Sequence, residues 1–146
     1  MDSLNQRLAD IAANGLKRAG RSLSNRHGTP KGEVWTTAQR EFAVSKINVD
    51  ASKYPELLKL RLYCGTREVQ NVLEAVAQEA CAAAGITDAT VSTPDTRDQD
   101  PAWGLAVVVE ITPERLGPGA DPQLLGPEGW GSFVVSLVER AEGRVA

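Results

Sequence analysis

Few residues in this chain have a type and spacing suited to covalent or metal chemistry. Its 146 residues include two cysteines, Cys64 and Cys81, and one histidine, His27. A structural zinc site takes four Cys or His ligands at close spacing, more than the chain contains. A nucleophilic Cys64 or serine would need a base, and nothing in the Gly- and Pro-containing loop around His27 orients that imidazole. Asp95, Asp98 and Asp100 bunch in one segment, and clustered carboxylates can hold Ca²⁺ or Mg²⁺. A calcium loop starting at Asp98 would place Trp103 and Val109 where glycine and glutamate are required. The stretch GLKRAGRS from Gly15 to Ser22 imitates a phosphate-binding loop, but Arg21 stands where lysine is needed. Its glycines also fall within a helical pattern rather than between a strand and a helix. No catalytic set, cofactor or metal is therefore expected.

The remaining chemistry is that of contacts. The net charge of −3 conceals a separation, with +4 over residues 1–32 and −7 over the rest. Lys17, Arg18 and Arg21 share a helical face by their spacing of three and four, and Arg26, His27 and Lys31 extend the positive run. Such a run can meet phosphate or an acidic protein surface; it can equally be a solvated helix end whose cations complement the helix dipole. Nucleic acid is the less favoured partner, because no aromatic residue precedes Trp35 and the whole chain is acidic. Trp103 and Trp130 each lie in a Gly/Pro-rich connection, PAWG and EGWG. They read either as interface anchors or as lids folded onto the sheet. The partner-contact candidates are thus Lys17, Arg18, Arg21, Arg26, Lys31, Trp103 and Trp130.

These residues must be positioned by regular elements. Ser3 and Gln6 match a capping box, and Leu4, Leu8, Ile11, Leu16, Ala19 and Leu23 recur at helical spacing, predicting a helix over 3–23. Gly15 and Gly20 weaken it, or admit a close neighbour. Residues 33–49 favour two strands, the second carrying Phe42, Val44, Ile47 and Val49 with a one-residue slip between Val44 and Ile47. A short helix capped by Thr36 and Gln39 is the alternative. Strict alternation from Leu58 to Cys64 predicts a strand with one buried and one wet face. Residues 66–84 follow as a helix, with Thr66 as N-cap and Gly85 at C′. That helix would carry Cys81 roughly 22 Å from Cys64, too far for a disulfide, so two free thiols are expected. Residues 87–93 and 105–112 read as strands, the latter central because it is almost continuously apolar. Proline and glycine break up 113–131 into a long loop. Phe133–Glu139 is Val-rich and reads as a strand, with a helix as the alternative.

The sum is one α+β domain over 1–146: a single antiparallel-rich sheet, with two main helices on one face, in the order helix–strands–helix–strands. No apolar run reaches the roughly 18 residues of a membrane span, and the first residues lack the apolar stretch of a secretory leader. With free thiols, this suggests a cytoplasmic protein. The element order is similar to that of the ring-forming tail-terminator and neck proteins of tailed phages. That resemblance implies a homo-oligomeric ring in a virion, with the long loop or first helix touching neighbours. The expected function is a non-enzymatic assembly subunit that self-associates or docks on a larger complex. The alternatives are a nucleic-acid accessory protein using residues 17–31, or a small enzyme or ligand-binding domain with a dispersed site.

Overall fold

The computed structural model describes residues 3–24 and 32–145. Three helices pack on one face of a five-stranded antiparallel sheet, giving an α+β fold. Helix α1 spans Leu4–Arg18, α2 spans Arg67–Ala83 and α3 spans Pro127–Val145. The strands are β1 (Glu33–Trp35), β2 (Lys46–Asp50), β3 (Leu58–Tyr63), β4 (Ala89–Ser92) and β5 (Ala106–Ile111), in the spatial order β1-β2-β3-β5-β4.

The expected helix over 3–23 stops at Arg18, for a reason visible in its glycine. Gly20 takes φ +91°, and the amides of Gly20 and Arg21 donate to the carbonyls of Lys17 and Leu16 at 3.0 and 2.9 Å. This is a Schellman cap, in which a residue of positive φ satisfies the last carbonyls and turns the chain away. Gly85 (φ +72°) ends α2 in the same way, as its position suggested. At the other end of α1 the Ser3 hydroxyl accepts from the Gln6 amide at 3.4 Å. The Gln6 side chain turns instead to Asp10, at 3.1 Å, so half of the capping box forms.

Between residues 33 and 49 the two strands are shorter than expected. The slip between Val44 and Ile47 is where a turn over 37–45 enters β2. β3 and α2 fall where alternation and helical spacing placed them. β5 lies between β3 and β4 and is buried on both faces apart from Glu110, while β3 takes the centre.

The largest correction concerns residues 113–139. Short 3₁₀ turns occupy Pro113–Arg115 and Pro122–Leu125, and α3 begins at Pro127. The long loop is therefore shorter than expected, Phe133–Glu139 is helical, and the main helices number three. Proline at the first helical position costs no hydrogen bond. Trp130, Val134, Leu137, Val138 and Ala141 form a buried stripe whose helical spacing outweighs the β-propensity of the valines. Helix α3 packs against both α1 and α2. A Cβ on Gly15 would stand 2.4 Å from a Val135 methyl, and one on Gly131 would stand 2.4 Å from an Ile11 methyl, so these glycines permit the α1–α3 approach.

Candidate functional site

The helices cover one face of the sheet; on the other, no described helix packs, Tyr63, Ala106 and Val108 are buried among their neighbours, and the remaining outward side chains are half-buried or exposed. Alternation along β3 sends Leu58, Leu60 and Leu62 into the core and Lys59, Arg61 and Tyr63 outward. Strand register then arranges the outward side chains in three rows. The first contains Glu33, Asp50, Lys59, Glu110 and Thr90. The second contains Trp35, Asn48, Arg61, Val108 and Ser92. The third contains Lys46, Tyr63 and Ala106.

An extension between β4 and β5 adds Trp103 beyond the third row. It is a built structure. The Thr96 amide donates to the Gly104 carbonyl at 2.7 Å, and the amides of Gln99 and Asp100 donate to the Thr96 carbonyl at 2.9 and 2.8 Å. The Trp103 amide donates to Asp100 Oδ1 at 3.1 Å. A Cβ on Gly104 would stand 2.5 Å from the Thr96 carbonyl carbon, so the crossing needs glycine. At the base, buried Gln70 of α2 donates through Nε2 to the carbonyls of Pro94 (3.1 Å) and Ala106 (2.9 Å). Asp95 accepts from Arg67 (2.6 Å) and Arg97 (2.9 Å). The Arg97 hydrogen bond, with charge from both arginines, holds the Asp95 carboxyl down to about 2. The aspartate cluster therefore stabilises a loop, and no group of three His, Cys, Asp or Glu suited to a metal occurs among the described residues.

Around Lys46 the rings and cations converge. Its Nζ lies 4.9 Å from the Trp35 ring centroid, 5.1 Å from that of Trp103 and 5.4 Å from that of Tyr63. Tyr63 and Trp103 meet edge to face, centroids 6.1 Å apart at 85°. Arg40, from the 37–45 turn, lies 5.5 Å over Trp103, and Arg61 lies 5.9 Å over Tyr63. Cations over aromatic faces attract through the ring quadrupole. Trp35 Nε1 also donates to Glu33 Oε2 at 3.1 Å. One end of the open face is thus cationic and aromatic, with Arg40, Lys46 and Arg61. The opposite row is acidic, with Glu33, Asp50 and Glu110 beside a single Lys59. This arrangement offers aromatic contact area and charges of both signs.

Of the sequence candidates among the described residues, only Trp103 joins this cluster. Trp130 is fully buried on α3, edge to face with Phe133 at 5.7 Å, so it is a core residue and not a contact anchor. Arg21 does not share a basic surface with Lys17 and Arg18. It lies past the end of α1, 3% exposed, donating to the Val44 carbonyl and pairing with Glu142 of α3 at 2.8 Å. Burial lowers its pKa and the charge of Glu142 opposes that. Lys17 and Arg18 are exposed on the helix side, away from the open face. Arg26 and Lys31, like His27, lie outside the described residues. Both cysteines are free and buried, and burial raises both thiols, Cys64 to about 11. That makes poor nucleophiles, because the thiolate is the reactive form. Trp35 and Lys46 escaped sequence reasoning because only strand register brings them to Tyr63. The wet side of β3 already pointed to Arg61 and Tyr63.

The fold and this surface together define the class: an α+β protein with a helix-covered sheet and an open, aromatic, charge-segregated sheet face. No protein-family model matches the chain, and neither the curated proteins nor the solved structures provide a match.

Proposed function

We propose that this chain is a non-enzymatic assembly subunit that docks on protein through the open face of its sheet. The observation that carries this is the cluster of Trp35, Tyr63 and Trp103 around Lys46, flanked by Arg40 and Arg61. Trp, Tyr and Arg are the residue types that dominate protein-interface energetics, and here they already pack against one another. The acidic row on the same face argues against a polyanion, which Glu33, Asp50 and Glu110 would repel. The ring faces also already carry cations that a stacked base would have to displace. A narrower version of the reading is a ring component like the tail-terminator and neck proteins of tailed phages. It rests on the order helix–strands–helix–strands, which α3 extends by a further helix, and would put the protein in the cytoplasm of an infected cell and then in a virion.

Lysine-directed cross-linking of the full chain, in extract of the cell that makes it, tests the docking face. Links to another polypeptide should concentrate at Lys46 and Lys59. Links that fall at Lys17 and spare Lys46 and Lys59 would overturn the reading. So would retention of a single-stranded oligonucleotide that collapses with salt and is abolished by Lys46→Glu, which would make the face a nucleic-acid surface.

A further inference from the structure

We infer that the occupant of the open face is a second copy of this chain, paired face to face about a twofold axis lying along the row Trp35, Asn48, Arg61, Val108 and Ser92. The inference rests on the docking reading above and deepens it by naming the partner.

The argument is charge complementarity fixed by register. The first row is acidic through Glu33, Asp50 and Glu110; the third row and its surroundings are cationic through Lys46 and Arg40. Arg61 sits in the middle row but leans toward the cationic end, over Tyr63. A twofold interface is isologous: residue i of one copy meets residue j of the other, and j meets i. Rotation about the middle row exchanges the outer rows, so Asp50 of each copy faces Lys46 of its mate while Glu110 faces the uncharged Ala106. Lys46 and Asp50 make this concrete. They lie on β2, two residues either side of Asn48, so the operation that returns Asn48 to itself sets Lys46 of each copy on Asp50 of the other. The same operation sets Lys59 over the Tyr63 end of β3. Asp50 can serve, because both of its hydrogen bonds from Ser52 use Oδ1. The alternative twofold, along the strands, would stack acid on acid and cation on cation.

The sheet edges are weaker candidates for self-pairing. β1 has three residues and β4 has four, and short edge strands discourage edge-to-edge addition. Five strands about 4.8 Å apart make a face roughly 20 Å wide. That is at the small end of specific interfaces, and because area does not fix affinity the test spans a wide concentration range.

Sedimentation equilibrium of the full chain, over a span from about 5 to about 500 μM, tests the pairing. The expected result is a mass rising to twice the monomer, with dissociation promoted by salt as surface charges are screened. Lys46→Glu and Asp50→Lys should each weaken the pair at least tenfold, since each sets like charges together twice. The double variant K46E/D50K should restore it, and so should an equimolar mixture of the two single variants. Asp50→Lys leaves the ring cluster around Lys46 untouched, and thermal melts of all variants establish that the fold persists. A monomer throughout, a species larger than two, or a double variant that stays dissociated overturns the twofold pairing. If the chain is monomeric while Lys46 and Lys59 still cross-link to a different polypeptide, the docking face stands and self-pairing falls. If those lysines link to nothing, both fall.

Discussion

The carboxylate of Glu142 ties together three parts of the chain that are far apart in sequence. It accepts from the amides of Ala43 (2.9 Å) and Val44 (2.8 Å) and from the buried guanidinium of Arg21 (2.8 Å). Removing one partner of a buried pair leaves an uncompensated charge, a loss of about 3–5 kcal/mol. Glu142→Ala should therefore lower the denaturant midpoint markedly. Arg21→Met with Glu142→Ala should recover part of that loss, the remainder reflecting the orphaned amides of Ala43 and Val44 and the Val44 carbonyl that Arg21 no longer reaches, at about 1–3 kcal/mol each. At the surface, Asp95 should titrate by carbon-detected NMR at about 2 rather than at its ordinary 3.8, and Arg97→Ala should move it upward. Because its folded pKa is the lower one, the pairing stabilises the protein above the ordinary value and is lost as pH falls toward about 2. Cys64 and Cys81 should resist a disulfide reagent at pH 8 and both react on unfolding, since burial keeps them neutral. The free thiols could be anticipated from helix length alone. The pairing of Arg21 could not, because its partner lies 121 residues along the chain.

At the scale of elements, glycine carried two meanings that composition does not separate. In GPEGWGS the glycines suggest a loop, yet Gly129 and Gly131 sit inside α3, each where a neighbour presses close. A Cβ at Gly129 would stand 1.8 Å from the Gln123 carbonyl oxygen. Gly129→Ala should therefore destabilise by about 1–3 kcal/mol, against its helix propensity. Gly143, on the same helix, has open space around its missing Cβ, so Gly143→Ala should stabilise by about 0.5–1 kcal/mol. Thermal melts of the two variants should move in opposite directions. β3 and α2 were legible because their apolar periods, two and near 3.6, run unbroken over the whole element. Helix α3 was misread because its valines favour strands locally, while the contacts that make it helical come from α1 and α2.

For the whole molecule, the open face predicts a fluorescence signature. Acrylamide should quench the half-buried Trp35 and Trp103 and spare Trp130. Once the chain pairs, quenching of the first two should fall while Trp130 is unchanged. The amino-acid sequence by itself determined the α+β class, the strand and helix with the strongest periodicity, the absence of a disulfide, and a charge distribution that is not uniform. Each of these depends on neighbours in the chain, through propensity, spacing or helix length. Only the tertiary structure decided that Arg21 and Trp130 are interior, that Phe133–Glu139 is helical, and that Trp35, Lys46, Tyr63 and Trp103 meet. These depend on register and packing between segments tens of residues apart, where a one-residue shift would send every side chain of a strand to the opposite face.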